Sequence, residues 1–102
     1  MSDWAQGDII RISGYRGLFL IISNNTFIRA TGVFHVCPVS ERLENGPLHI
    51  AIRGKNGCCG TAACEQLKLI DPDARSCSRT DAIPYSQLMD ISDAVQGMFE
   101  YD

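Results

Sequence analysis

Hydrophobic residues in this chain fall in short runs that are separated by polar or glycine-rich stretches. Residues 18–22 are continuously apolar, which is typical of a central strand buried on both faces of a sheet. Residues 9–12 are rich in β-branched isoleucine, and the two glycines within residues 13–17 predict a turn between these segments. We therefore expect the first two strands to form a hairpin.

Three later segments also have strand character. Residues 33–39 predict a strand, and Pro38 places it near a sheet edge or a bulge because proline lacks a backbone N–H. Residues 48–52 alternate between inward and outward positions and predict a fourth strand. Residues 61–70 predict one or two strands with a bend, and a basic, glycine-rich turn at residues 53–57 precedes them.

Two helical features are predicted. Asn24 and its neighbours can cap a short helical turn around Phe27, because an asparagine side chain accepts hydrogen bonds from free backbone N–H groups. The clearest helix is the last element of the chain, with Ser86 as its expected N-cap. Its apolar residues recur at spacings of three and four and therefore share one face: Leu88, Ile91, Val95 and Met98.

Several short strands followed by one amphipathic helix predict a mainly β (α+β) fold, a small barrel closed by a C-terminal helix. A chain of 102 residues and 11.2 kDa has room for one domain, residues 1–102, with a single core. Because so small a domain buries only part of its unfolded surface, dimerisation would add useful stability.

The charge of the chain argues mildly against a general nucleic-acid binder, since its net charge is -3 and its pI is about 5.2. A local basic face is still possible, because seven of the nine lysine and arginine residues precede residue 70, whereas the last third of the chain carries most of the acidic residues. The alternative is that these charges are scattered and solvated. Six of the seven are candidates for such a face: Arg11, Arg16, Arg42, Arg53, Lys55 and Lys68.

The chain begins without the basic and apolar segments of a signal peptide, so we expect a cytoplasmic protein. Its cysteines are odd in number, which favours free thiols in a reducing compartment. Cys58 and Cys59 are adjacent and would point to opposite faces of an extended strand, so a role as small buried hydrophobes is favoured over zinc binding. A thiol or metal sensor built on Cys58, Cys59 and Cys64 is the alternative.

Short motifs occur in a set order along the chain. Gly7-Asp8 opens the first strand, and Leu-Ile-Ile-Ser-Asn at residues 20–24 ends the second. Val-Cys-Pro-Val-Ser ends the third strand at Ser40, Pro-Leu-His-Ile begins at Pro47, and Glu65-Gln66 is followed by Ile-Asp. In this order and spacing the motifs resemble the MazF/PemK/Kid family of growth-inhibiting toxins over most of the chain.

The resemblance implies one MazF/PemK-like domain, an SH3-like β-barrel similar to MazF, PemK and CcdB, that forms a homodimer and binds a cognate antitoxin protein. It also implies metal-independent, sequence-selective cleavage of single-stranded RNA, without a cofactor. In that reaction the 2′-hydroxyl attacks the adjacent phosphate and leaves a 2′,3′-cyclic phosphate and a 5′-hydroxyl end.

The resemblance places catalytic roles on Arg16, Ser40 and Glu65. Arg16, which fits the family pattern with a shift of one residue, would stabilise charge on the phosphorane, since a guanidinium grips phosphate through two N–H groups. The Ser40 hydroxyl would bind a phosphate oxygen, and Glu65 would assist acid–base chemistry or orient Arg16. The alternatives are a solvated turn residue for Arg16 and a salt bridge from Glu65 to Lys68 or Arg53.

Other residues are assigned by the same likeness to the RNA interface. His49 alternates with apolar neighbours and should face outward, where it is a further candidate for the catalytic base; His35 also lies on a predicted strand. The expected RNA-binding residues are Tyr15, Asn24, Arg42, Arg53, Lys55, Gln66 and Lys68.

Two departures from the family pattern affect the expected activity. The turn at residues 13–17 replaces a longer glycine-rich and basic loop, which would leave fewer phosphate contacts. Ala63 occupies a position where some relatives have a catalytic arginine. These departures leave open a binding module on the same fold that lacks catalysis, or a gyrase poison like the CcdB-type toxins.

Overall fold

The structure, a computed structural model, describes residues 4–102, and this part of the chain forms one seven-stranded antiparallel sheet and two helices. The strands are β1 (Asp8–Ile12), β2 (Leu18–Ile21), β3 (Phe34–Ser40), β4 (His49–Arg53), β5 (Cys59–Ala63), β6 (Lys68–Ile70) and β7 (Cys77–Ala82). The helices are α1 (Asn25–Thr31) and α2 (Tyr85–Gly97). The mainly β (α+β) class with a C-terminal helix is therefore confirmed.

The strands follow the order β4-β5-β3-β2-β1-β7, and β6 pairs with the first half of β3. The sheet does not close into a complete barrel, because its end strands β4 and β7 do not pair with each other. The turn after β4 reaches β7 instead, where the Lys55 N–H donates a hydrogen bond of 2.8 Å to the carbonyl of Ala82. The predicted barrel is thus an open sheet, and the turn after β4 joins one of its end strands to the other.

Both faces of the sheet are covered by apolar side chains. Ile9 and Ile10 follow each other in β1 and are both fully buried, because alternate residues of a strand point to opposite faces. Ile9 belongs to the cluster that packs against α2 through Ile91, whereas Ile10 belongs to the cluster that packs against α1 through Ile28. We call the face that bears Ile9 the inner face and the face that bears Ile10 the outer face.

The first hairpin is confirmed, since β1 and β2 pair antiparallel across the turn at residues 13–17. The prediction that Pro38 lies near an edge or a bulge is wrong, because β3 is an interior strand. Along one side of β3 the partner changes from β6, opposite residues 34–36, to β5, opposite residues 39 and 40. Pro38 lies in the gap between these two partners, so its missing N–H removes no hydrogen bond from the pairing on that side.

Strand β7 was not predicted from the sequence. Its residues are polar and mostly exposed, because it is an end strand that lacks the alternation of a half-buried strand. Asp81 is the buried exception, and its carboxylate accepts hydrogen bonds from the backbone N–H groups of Asn56 at 3.0 Å and of Cys58 at 3.0 Å. A side chain of β7 thus binds the turn that follows β4.

Both helices lie where the sequence predicts them, but the N-cap residue of α2 differs from the prediction. Asn24 caps α1, as predicted, because its Oδ1 accepts a hydrogen bond of 2.7 Å from the Phe27 N–H. The prediction that Ser86 caps α2 is wrong, since the helix begins at Tyr85 with Pro84 at the N-cap and without a side-chain cap. Proline is well suited to a helix start, where an N–H would be unpaired in any case.

The apolar face predicted for α2 is confirmed at three of its four residues, since Leu88, Ile91 and Val95 pack against the inner-face cluster. Met98, the fourth, lies just past the end of the helix as its C-cap residue. Within residues 4–102, no helix is both long enough and apolar enough to span a bilayer.

Candidate functional site

A histidine and a glutamate meet on the outer face of the sheet, near the start of β4. The Nε2 atom of His49 lies 2.8 Å from Oε2 of Glu65, and the two side chains are 29% and 36% exposed. His49 points outward because its neighbour Ile50 packs against the inner-face cluster. The outward orientation expected for His49 is therefore confirmed, and the pair is open to solvent.

The hydrogen bond between the two side chains favours their charged forms. It raises the pKa of His49 above its usual range, and the negative charge of Glu65 and a hydrogen bond to the backbone of Glu44 act in the same direction. The bond to His49 also lowers the pKa of Glu65, and a backbone hydrogen bond adds to that effect. The hydrogen bond therefore shifts the pair toward an imidazolium beside a carboxylate.

The strand register explains why these two residues meet. His49 lies directly opposite Ala63 in the β4–β5 pair. The chain leaves β5 after Ala63, and Glu65 lies in the exposed connection to β6. Because Ala63 has only a methyl side chain, His49 and Glu65 can approach each other beside it. A cleft of about 280 Å³ opens next to the pair, lined by residues 46–49 and Glu65.

The other two predicted catalytic residues lie at one end of the β2–β3 pair. Ser40 is exposed at the end of β3, where its Oγ accepts a hydrogen bond of 3.2 Å from the Arg42 N–H. Leu18 pairs with Val39, so Arg16 in the preceding turn lies at the same end of the β2–β3 pair as Ser40. Arg16 is exposed and forms no ion pair with any of residues 4–102.

Glu65 does not contact either of them. Ser40 pairs with Thr61, two residues before Ala63, and β4 lies one strand further across the sheet. Strand geometry therefore puts the Cα atoms of Ser40 and His49 roughly 12 Å apart. Glu65 binds His49 rather than orienting Arg16, and the alternative salt bridges to Lys68 and Arg53 are also not formed among the described residues.

The expected RNA-binding residues separate into different regions. Tyr15 and Lys68 come together, with the Lys68 ammonium 5.4 Å from the centre of the tyrosine ring. Asn24 is occupied in capping α1, and the backbone of Arg53 bonds with the Gln87 side chain of α2. Lys55 and Gln66 are exposed in the connections that follow β4 and β5, and Arg42 is exposed in the loop that follows β3.

The structure places two residues at these sites that the sequence did not rank as main candidates. Arg75, which no sequence pattern singled out, lies with its guanidinium carbon 4.8 Å from the centre of the Tyr15 ring. His49 was recognised only as a secondary candidate, because its partner Glu65 is sixteen residues away in the chain. The outward position of His49 in an alternating strand was the one signal available.

The cysteines do not assemble into a ligand set. Cys58 packs against the inner-face cluster while Cys59 is exposed, as their adjacency predicted. Cys64 is fully buried, and its Sγ donates a hydrogen bond of 3.8 Å to the carbonyl of Ala62. The neighbouring thiol of Cys64 and burial raise the pKa of Cys37. Within the part of the chain that the structure describes, no three His, Cys, Asp or Glu side chains are grouped so as to hold a metal ion.

Comparison with known proteins identifies the fold. No protein-family model matches the sequence, and no curated protein matches it. The structure of MazE–MazF from Deinococcus radiodurans is similar to this chain with a TM-score of 0.79 and 18% identity, over 92% of this chain and 93% of that one.

Two further solved structures give the same result. An endoribonuclease from a mycobacterial species is similar with a TM-score of 0.80 and 16% identity, over 95% of this chain and 91% of that one. A mycobacterial endoribonuclease in complex with its cognate antitoxin has a TM-score of 0.79 and 17% identity, over 96% and 98% of the two chains. At these identities the likeness is one of fold, and this chain has the fold of the MazF toxins.

Proposed function

We propose that this chain is a MazF-family toxin of a toxin–antitoxin pair and that it cleaves single-stranded RNA as a metal-independent, sequence-selective endoribonuclease. The fold supports the class of protein, but a fold by itself hosts many functions. The observation that carries the proposal is the solvent-accessible His49–Glu65 pair, because it supplies a proton acceptor and a proton donor at one cleft.

The pair can serve both halves of the reaction. The Glu65 carboxylate accepts the proton of the 2′-hydroxyl as its oxygen attacks the adjacent phosphorus. The bond from phosphorus to the 5′-oxygen then breaks, and the His49 imidazolium donates a proton to that leaving oxygen. The products are a 2′,3′-cyclic phosphate and a 5′-hydroxyl, and the Glu65–His49 hydrogen bond returns the proton from the carboxyl to the imidazole.

Arg16 and Ser40 would hold the phosphate. The guanidinium of Arg16 is always charged and is exposed, so it can donate two N–H groups to the phosphorane as negative charge develops there. The Ser40 hydroxyl is exposed at the same end of the β2–β3 pair and can donate to a phosphate oxygen. Because the Cα atoms of Ser40 and His49 lie roughly 12 Å apart, these roles need the side chains from both points to converge on one phosphate between them.

His49 also accounts for the missing arginine. The family resemblance places a catalytic arginine at Ala63 in some relatives, and the register puts His49 opposite that position. We assign to His49 the proton-donating role that the arginine would otherwise fill. The raised pKa of His49 fits this role, because it favours the protonated imidazole that can donate a proton.

The proposal extends to partners and location. A mycobacterial endoribonuclease of this fold has been solved with its cognate antitoxin, which supports an antitoxin partner for this chain too. We propose that such an antitoxin covers the outer-face site, that the toxin is a homodimer, and that it acts in the cytoplasm.

The test is cleavage of a long single-stranded RNA in the presence of EDTA, with the new 5′ ends mapped. We expect discrete cuts with 5′-hydroxyl ends, and a loss of about 10²–10⁴-fold in rate for His49→Ala and for Glu65→Gln. Arg16→Ala should also abolish cleavage, whereas Arg29→Ala, an exposed arginine of α1, serves as the matched control. RNA that stays intact at high protein concentration would reject the proposal.

A second candidate is a binding module or a gyrase poison on the same fold, without catalysis. The short connection of residues 13–17 between β1 and β2, and the methyl side chain at Ala63, favour it. This candidate predicts intact RNA in the assay above together with specific capture of gyrase or another protein by the purified chain. Cleavage that is lost in His49→Ala would exclude it.

A further inference from the structure

Two cations flank one exposed tyrosine near the β1–β2 turn. The Arg75 guanidinium carbon lies 4.8 Å from the centre of the Tyr15 ring, and the Lys68 ammonium lies 5.4 Å from it. Both distances are within the range of cation–π attraction. We call Tyr15, Lys68 and Arg75 the tyrosine cluster.

Contacts with Phe19 and with the backbone of Ser13 hold the tyrosine cluster in place. The Tyr15 ring packs edge-on against Phe19, with the ring centres 5.7 Å apart, and Phe19 belongs to the outer-face core. Arg75 donates a hydrogen bond of 3.2 Å from Nη1 to the carbonyl of Ser13. Gly14 has a φ of +90°, a backbone conformation that favours glycine at this point of the turn.

The positive charge of the cluster is not balanced by the protein. The two cations lie within about 10 Å of each other, near the Debye length at 0.1 M salt, and therefore repel. Among residues 4–102 no carboxylate forms an ion pair with Lys68 or with Arg75. In a chain with a net charge of -3 this leaves a local excess of positive charge that an anion would relieve.

The cluster lies on the same face as the His49–Glu65 pair. Lys68 lies two residues before Ile70, a member of the outer-face core, so its side chain points to that face. His49 pairs with Ala63 and Phe19 pairs with Pro38, and the Val39–Ala62 pair puts Ala63 and Pro38 at the same level of the sheet. Three strand spacings separate His49 from Phe19, roughly 14 Å, a distance that a short run of extended RNA covers.

From this geometry we infer that the tyrosine cluster is a phosphate-binding subsite for the RNA strand, beside the cleavage site; the inference rests on the proposed function. The guanidinium of Arg75 and the ammonium of Lys68 donate to non-bridging oxygens of a backbone phosphate that lies between them. Tyr15 fixes the two cations and presents its hydroxyl at the same surface. Because the subsite contacts a phosphate beside the cleavage site, it determines the affinity for RNA rather than the rate of the chemical step.

The experiment measures binding and cleavage separately. Binding of a fluorescein-labelled single-stranded RNA is measured by anisotropy for His49→Ala, which should not cut it, at several salt concentrations. Adding Lys68→Ala together with Arg75→Ala should weaken binding about tenfold or more at 0.1 M salt. It should also reduce the salt slope by roughly 0.7 for each cation removed. Arg29→Ala is the matched control and should change neither quantity.

Cleavage by chains that retain His49 provides the second readout. Lys68→Ala and Arg75→Ala should raise KM and leave kcat nearly unchanged, because the subsite binds substrate and transition state alike. Lys68→Ala removes no structural hydrogen bond, so it remains decisive if Arg75→Ala disturbs the turn. Unchanged RNA affinity and salt slope in these variants would overturn the inference while the proposed function stands.

Two other outcomes would overturn it in different ways. If the His49→Ala parent binds no RNA and the unmodified chain cuts none, the proposed function fails and the subsite fails with it. If a polyglutamate peptide binds the chain and loses affinity on removal of Lys68 and Arg75, while RNA affinity does not change, the cluster is a site for acidic peptides instead.

Discussion

At the scale of single residues, the His49–Glu65 hydrogen bond favours the protonation states on which the proposed reaction depends. The bond raises the pKa of His49 and lowers that of Glu65, so it shifts each group toward the form that its proposed role requires. The sequence could supply both residues as candidates but not their contact, because the contact follows from the pairing of β4 with β5 and the exit of the chain after Ala63.

Replacing Glu65 should lower the pKa of His49. In Glu65→Gln the imidazolium loses its strongest hydrogen-bond partner and the nearby negative charge, so His49 should titrate closer to its ordinary value of about 6.5. Proton NMR of the imidazole C–H signals across pH 5 to 9 measures the shift. The signal of His35, which bonds with Ser23, provides the internal control.

The same shift has a consequence for stability. Because the folded pKa of His49 is raised, its contribution is fully present below the unfolded pKa and is lost as the pH rises through the folded pKa. Glu65→Gln should therefore be less stable than the parent mainly below the unfolded pKa of His49, about 6.5. The difference should shrink as the pH rises through the folded pKa. An unchanged His49 titration in Glu65→Gln would contradict the role given to the hydrogen bond.

At the scale of elements, alternation and turn signals predicted the first hairpin and the apolar face of α2, but they could not reveal β7. That strand is polar and is held by backbone pairing with β1 and by the single buried side chain of Asp81. The interior position of β3 was hidden for a related reason. Pro38 argues for an edge unless the partner change from β6 to β5 is known.

The Asp81 carboxylate joins the turn after β4 to β7, and this contact should make stability depend on acidic pH. Burial acts to raise the pKa of Asp81, but hydrogen bonds from the backbone N–H groups of Ala82, Cys58 and Asn56 lower it below its usual range. Its contribution is therefore present above the unfolded pKa of about 3.9 and is lost as the pH falls through the folded pKa.

Asp81→Asn should lower the melting temperature at pH 7 by roughly 5 °C. The difference from the parent should shrink as the pH falls below about 4, where the parent loses the same charge. Thermal unfolding followed by circular dichroism from pH 3 to pH 7 measures this. Asp90→Asn, an exposed position of α2, is the control, and a difference that does not depend on pH would refute the charge argument.

The short β1–β2 turn should limit the affinity of the chain for RNA. Residues 13–17 leave room for few phosphate contacts besides Arg16 and the tyrosine cluster. Inserting about ten glycine and lysine residues between Arg16 and Gly17 should increase RNA affinity and cleavage, and should steepen the salt dependence. A glycine–serine insertion of the same length is the control, and no gain over that control would contradict the prediction.

At the scale of the whole molecule, the chain combines a small core with large apolar side chains on its surface. Leu69 is 61% exposed, Phe99 is 74% exposed and Met89 is 51% exposed. A domain of this size gains stability when such side chains are covered by a second copy. The overall acidity predicted from the sequence coexists with the local positive charge of the tyrosine cluster, which only the folded arrangement brings together.

We therefore expect a homodimer in solution. Light scattering after size exclusion should give twice the chain mass of 11.2 kDa at micromolar concentration, with dissociation on dilution. Dimerisation should also make the melting temperature rise with protein concentration. A mass of one chain at all concentrations would contradict the expectation.

The gap beside Pro38 has a consequence for how this scaffold can change. Because β3 has no partner on that side at residues 37 and 38, the connection at residues 64–67 is not bound into a regular ladder, and it brings Glu65 to the surface. Glu65 and Gln66 are exposed there. Substitutions at these two positions can therefore alter the chemistry of the site without disturbing the strand pairing, so that one sheet can support different activities.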